Sequence, residues 1–141
     1  MKGLIYLFIV VMLTLSACST DLSEDDIDRS KINDILLRVR DEFNDVDIDK
    51  VMSYYDTDYY HNGLNLFNQT NVWYDRSIEY NYLELSEINI VLNGDFAVVH
   101  FIAKYSKQGT QTILIEPDEI GDMSYFRKVN GEWKIYGNQN D

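Results

Sequence analysis

Asp122-Met-Ser-Tyr-Phe-Arg-Lys-Val-Asn-Gly-Glu-Trp-Lys-Ile-Tyr-Gly137 is the stretch that decides the fold. Met123, Tyr125, Arg127 and Val129 alternate with Ser124, Phe126 and Lys128. Asn130-Gly131 follows, and then Trp133 and Ile135 alternate with Lys134 and Tyr136. Asn-Gly between two alternating runs predicts an antiparallel hairpin, because the turn that matches strand twist needs φ > 0 at both central residues. An isolated hairpin is marginal in water, so a larger sheet must exist for it to join.

Working back from the hairpin, the preceding residues read as strand. Leu83 and Leu85 alternate, then Ile88, Ile90 and Leu92 alternate in the opposite phase. A phase shift of one predicts a bulge near Ser86-Glu87, which bends the sheet. Asn93-Gly94-Asp95 turns into a strand from Phe96 to Tyr105, and Gln108-Gly109 into one from Thr110 to Glu116. Pro117, the single proline, breaks the run.

Helical spacing dominates before residue 80. Ile32, Ile35, Leu36, Val39 and Phe43 predict a helix over 26–44. Asp47 caps a short second helix from Ile48 to about Tyr55, with Val51, Met52 and Tyr55 inward. Thr57 to Asn62 is a short extended piece closed by Asn62-Gly63. Asn68 or Thr70 is expected to cap a third helix through about Tyr80, carrying Val72, Trp73 and Ile78. Three helices followed by about four antiparallel strands give an α+β chain, its helices on one face of a curved sheet.

The N-terminus carries a different signal. Lys2 precedes an apolar run from Leu4 to Leu13, and small residues follow. That pattern is a secretory signal, too short to span a bilayer stably. Leu15-Ser16-Ala17-Cys18 resembles the lipobox of bacterial lipoproteins. The resemblance implies cleavage before Cys18, diacylglycerol on its sulfur and usually a third acyl chain on the new amine. Residues 1–17 are then signal peptide, 18–25 the lipidated cysteine and polar tether, and 26–141 the domain. Cys18 is the single cysteine, so no intramolecular disulfide can form. Two or three acyl chains anchor stably where one does not. Ser19, rather than Asp, after the cysteine resembles cargo destined for the outer membrane where the cell has one; otherwise the outer face of the plasma membrane is expected.

Composition limits the partners. Hydrophobic residues make up 45% of the chain and aromatics 13%, which is ordinary for a packed domain. The formal charge is −12, from 24 Asp/Glu against 12 Lys/Arg, and Lys2 leaves with the signal. So negative a surface repels phosphate backbones, which argues against nucleic acid. Asp21 to Asp58 holds 13 of the acidic residues, read as a solvated face or as one that attracts a basic protein.

Asp47-x-Asp49-x-x-Met52-x-x-Tyr55, Asp58-Tyr-Tyr-His-Asn-Gly63, Gly94-Asp-x-Ala-Val-Val99 and the closing Tyr125-x-x-x-x-Asn-Gly-x-Trp-Lys-Ile135 together resemble the nuclear transport factor 2-like superfamily, which includes ketosteroid isomerase-like and SnoaL-like polyketide cyclase proteins. The resemblance covers about Asp26 to Gly137. It implies a cone-shaped, strongly bent sheet over a long helix, a pocket at the open end, and frequent dimers. Isomerase-like members place a carboxylate just after the second helix, close to where His61-Asn62 stand here. Transfer of their proton-transfer chemistry would then rest on His61 as base, with Asp56 or Asp58 orienting it. His100 is a second candidate, on a strand apolar on both faces: Phe96, Val98 and Ile102 share its side, while Ala97, Val99, Phe101, Ala103 and Tyr105 form the other. Parity alone leaves its side open. A strand dry on both faces implies a second cover, such as a partner subunit.

Tyr55, Tyr59, Trp73 and Tyr125 are candidates to line a pocket for a flat apolar ligand, and ordinary core packing accounts for them equally. Asp45-x-Asp47-x-Asp49, with Asp56 at the twelfth position, is similar to a calcium loop, but Lys50 stands where that loop needs glycine. No metal or cofactor is expected: zinc spacing, a phosphate-cradling glycine turn and a Ser-His-Asp set are all missing. The expectation is a lipid-anchored envelope protein whose domain binds a small apolar molecule or an envelope protein. The alternatives are an isomerase, hydratase or cyclase using a pocket histidine, and an inhibitory or immunity-type protein that meets a basic partner through its acidic face.

Overall fold

The computed structural model describes residues 22–110, 113–116 and 122–140; Cys18, the segment 1–17 and Pro117 lie outside the described residues. Helix α1 (Glu24–Asn44) starts two residues earlier than periodicity suggests. The reason is local: the Ser23 hydroxyl accepts the Asp26 backbone N–H and supplies the cap. Its inward stripe is Ile32, Leu36, Val39 and Phe43, all buried, whereas Ile35 is half-buried.

Helix α2 (Ile48–Ser53) is capped by Asp47, whose carboxylate accepts the Lys50 N–H. Between the two helices Val46 holds φ at +61°, an uncommon value for a β-branched residue. Strands β1 (Tyr60–His61) and β2 (Leu64–Asn65) make a two-stranded hairpin around Asn62-Gly63. Helix α3 (Leu66–Glu79) follows directly. Its cap is Asn65, not Asn68 or Thr70. Pairing of Asn65 with Tyr60 holds Asn65 extended, so the helix begins at once, and Thr70 sits inside it with its hydroxyl bonded back to the Leu66 carbonyl. Of the apolar residues α3 carries, Trp73 is buried and Ile78 is 76% exposed.

The main sheet contains β3 (Tyr82–Asn93), β4 (Phe96–Ser106), β5 (Ile113–Glu116), β6 (Asp122–Val129) and β7 (Glu132–Ile135). Its order is β3-β4-β6-β7, all antiparallel, and β5 also pairs with β4. Strand β6 takes Phe96 to Phe101 of β4 and β5 takes Ala103 to Ser106; since β3 occupies the other edge, both lie on the same side of β4. The bulge falls where the phase reversal predicts it. Register shifts between Ser86 and Asn89, and Glu87 takes φ +54°. The terminal turn also has the expected form, with Asn130 at φ +53° and Gly131 at +84°.

The helices cover one face of this curved sheet, burying Leu83, Ala97, Val99, Phe101, Ala103, Tyr105, Phe126, Trp133 and Ile135 against the α1 stripe. The open edge of β3 is stitched to α1. Asn44 both donates to the Leu83 carbonyl (3.1 Å) and accepts its N–H (2.6 Å), and Arg29 donates to the Ile90 carbonyl. Among the described residues no helix is long and apolar enough to cross a membrane.

Candidate functional site

A cavity of about 120 Å³ lies between α1, α3 and the helix-facing side of the sheet. Its floor is aliphatic, from Leu36, Val39, Leu83 and Leu85, with Phe101 beside them. Its wall is aromatic. Tyr55, Tyr59, Trp73 and Tyr125, the four side chains singled out in the sequence, line this one cavity together with His61.

Each wall residue is held by a definite contact. Trp73 is buried, its indole N–H donating to the Tyr55 hydroxyl at 2.8 Å, and the Tyr55 and Tyr59 rings meet edge-on with centroids 4.9 Å apart. Phe43, from the α1 stripe, backs both Trp73 and Tyr105 at centroid distances of 5.5 and 5.6 Å. Such tilted and edge-on pairs are the favoured geometries for rings.

His61 stands at the mouth, its ring 5.7 Å from that of Tyr125 and 6.4 Å from that of Tyr59. Both of its nitrogens face amide groups: Nδ1 accepts the Asn138 backbone N–H at 3.2 Å, and Nε2 lies 3.1 Å from the Asn62 side-chain nitrogen. The C-terminal segment 136–140 makes these contacts as it runs along the small hairpin. The Tyr60 N–H donates to Tyr136, the Gln139 N–H donates to Tyr60, and the Gly63 N–H donates to Asn140, each through backbone carbonyls. Gly137 permits the close crossing, since a Cβ there would lie 2.1 Å from the Tyr60 carbonyl oxygen.

The polar part of the wall was not foreseen. Gln69, Trp73 and Arg76 succeed one another at helical spacing on α3 and share its cavity face. The Arg76 guanidinium donates to the Tyr105 hydroxyl (3.0 Å) and to Glu116 Oε1 (2.6 Å), with its carbon 4.5 Å from the Tyr105 ring centroid. Glu116 pairs with Ala103 on the helix-facing side of the sheet, which aims it at α3. The spacing of Arg76 from Trp73 was the available signal; its partner lies 40 residues away and left no local pattern.

Asp56 and Asp58 are elsewhere. Both line a separate, open groove with Arg127, Lys134 and Glu132. Arg127 grips buried Asp56 through two N–H groups at 2.7 and 2.6 Å, and reaches exposed Asp58 at 2.9 Å. The Arg127 guanidinium holds the Asp56 carboxyl below the usual carboxylate range, against the opposing effect of burial. Neither carboxylate is hydrogen-bonded to His61. His100 alternates with the buried Val99 and Phe101 and therefore lies on the far side of the sheet, away from the cavity.

The acidic triplet near α2 is used locally. Asp47 caps α2 and pairs with Lys50, while Asp49 accepts from the Tyr74 hydroxyl. Among the described residues no group of three His, Cys, Asp or Glu side chains is placed to hold a metal ion.

Neither a protein-family model nor a curated protein matches the chain. Solved structures do. Bd1075 of Bdellovibrio bacteriovorus matches with a TM-score of 0.61 at 19% identity, over 82% of this chain but 42% of that one, so this chain spans less than half its length. An NTF2-like protein of unknown function from Pseudomonas putida KT2440 gives 0.64 at 16% identity, over 79% and 83% of the two chains. A provisionally assigned scytalone dehydratase from Novosphingobium aromaticivorans DSM 12444 gives 0.58 at 12%, over 79% and 80%. At such identities the likeness carries architecture and not activity. Helices packed on one side of a bent antiparallel sheet, in this order and with these neighbours, make this the nuclear transport factor 2-like, or cystatin-like, fold.

Proposed function

We propose that this is an extracytoplasmic lipoprotein, tethered through acyl chains on Cys18, whose domain binds a small apolar ligand without transforming it. The observation that carries this reading is the ring-lined cavity, whose single histidine already has both nitrogens against amide groups. A base must have a lone pair directed at the proton it removes. Here the imidazole instead ties the tail to the small hairpin. No carboxylate lines the cavity among the described residues, so a carboxylate base there is also without a candidate. A volume near 120 Å³ suits one six-membered ring, since an apolar cavity of about 150 Å³ accepts benzene.

Native mass spectrometry of the processed chain, isolated from its own host, tests the reading. The expected result is a retained adduct of roughly single-ring mass. A chain carrying none, and taking up none from a panel of small aromatics, would sink it. For the anchor, Cys18→Ala is expected to abolish radiolabelled palmitate incorporation and membrane fractionation, and unchanged labelling would refute it.

An enzymatic reading of the isomerase or hydratase kind is favoured by the presence of His61 in the wall and by the dehydratase assignment of two structural neighbours. It is separated by His61→Asn, which removes the base. Loss of turnover with ligand still retained would replace the binding reading with the catalytic one. A partner reading concerns the sheet's outer face, where Val91, Phe96, Ile113 and Ile115 are each about half exposed. Exposed apolar side chains on one sheet face suit contact with a second copy of the chain or another envelope protein.

A further inference from the structure

We infer that the cavity selects an uncharged ring bearing an oxygen acceptor, which Arg76 holds; the inference rests on the ligand-binding reading above and specifies its ligand. A guanidinium has five N–H donors in a fixed fork. Arg76 spends one on the Tyr105 hydroxyl and one on Glu116, and its plane is further fixed by the Tyr105 ring below it. Its remaining donors belong to a side chain that lines the cavity and is only 22% exposed. A ligand made of hydrocarbon alone would leave them unanswered, which is costly in a confined site.

Charge then narrows the class. Glu116 lies 2.6 Å from Arg76 and already balances it. A ligand carboxylate at the same guanidinium would place a second anion beside the half-buried Glu116, and like charges at that separation repel. A carbonyl, carboxamide or phenol oxygen meets the donors without that repulsion. The aromatic wall of Tyr55, Tyr59 and Trp73 takes the ring, and the volume limits it to one. Arg76 is thus the specificity residue of the cavity, and Glu116 positions it and excludes anions.

The test uses the full chain labelled with 5-fluorotryptophan, since its two tryptophans report different places. Trp73 lines the cavity, and Trp133 lies outside it and serves as the internal control for folding. Benzamide, toluene and benzoate are titrated separately. Benzamide is expected to saturate the Trp73 resonance at about tenfold lower concentration than toluene, the effect of one hydrogen bond to a charged donor. Benzoate is expected to bind more weakly than toluene. Arg76→Met should erase the benzamide advantage while toluene still shifts Trp73. Glu116→Gln should admit benzoate, and it keeps the idea testable if the methionine variant loses its Trp133 signature. Benzamide no better than toluene, or a preference that survives Arg76→Met, overturns the inference and leaves the ligand-binding reading intact. No response to any of the three probes overturns both.

Discussion

Gly137 holds φ at +84° directly over the Tyr60 carbonyl, where an added Cβ would come within 2.1 Å of oxygen. Backbone, not a pliable side chain, is the obstacle, so Gly137→Ala must displace the tail. The variant is expected to lose about 2 kcal/mol or more of stability. Thermal unfolding checks it; a melt matching the parent would show that the tail does not cross there. Val46 is the opposite case. It is exposed, with φ +61°, and serves only to turn α1 into α2. Left-handed backbone costs an L-residue about 1–2 kcal/mol, and glycine avoids that at a smaller entropic cost. Val46→Gly is therefore expected to stabilise by about 0.5–1 kcal/mol, read as a raised Tm. Neither position was visible as special in the sequence, because a strained or crowded φ depends on what the rest of the chain does around it.

Among the elements, the joint between the α2–β1 segment and the terminal hairpin rests on Asp56 and Arg127. Asp56 is 5% exposed and accepts both the Arg127 fork and the Asp58 N–H. Arg127→Met would leave that carboxylate buried without its cation, at a cost of about 3 kcal/mol. Adding Asp56→Asn should return part of the loss, and chemical denaturation of the single and double variants measures it. The pH dependence has a definite sign. The pKa of Asp56 is lowered by Arg127, so its stabilising contribution is whole above the ordinary carboxylate range. It is lost as pH falls from that range through the depressed value. Asp28 behaves likewise: Lys128 bonds it at 2.8 Å and lowers its pKa, and the Trp133 indole adds a weaker pull without meeting hydrogen-bond geometry. Lys128 is raised in turn, so its share persists below the ordinary lysine value and fades as pH climbs through the raised one. Acid unfolding is thus expected below about pH 4, and Asp56→Asn should flatten the limb.

Much at this scale was legible beforehand. The phase reversal between Leu85 and Ile88 located the bulge, and Asn130-Gly131 located the last turn, because both are written in neighbouring residues. The start of α3 was misread because Asn65, Asn68 and Thr70 are all capping types, and the choice is made by the pairing of Asn65 with Tyr60. The aromatic wall was anticipated residue by residue, but its polar end was not. Arg76 and Glu116 meet only after α3 has folded onto β5.

For the whole molecule, the unresolved side of His100 had the same origin. Alternation fixed which residues travel with it, and packing of the helices against Val99 and Phe101 decided that His100 looks outward. It lies on a face with Val91, Phe96, Ile113 and Ile115 exposed. If this face pairs with a second copy, light scattering at micromolar concentration should report a dimer. Val91→Glu together with Ile115→Glu should give a monomer of unchanged secondary structure, while a parent that is already monomeric would reject the pairing.

The threading of residues 136–140 along Tyr60 to Gly63 also bears on how the molecule is made. A ribosome delivers those residues more than 70 positions after the hairpin they grip. Until then the mouth lacks the part of its rim that Gly137 supplies, and Tyr60, His61 and Gly63 lack their partners in the tail. The vessel can close only once residues 136–140 have left the ribosome, which keeps the small hairpin slack until they arrive.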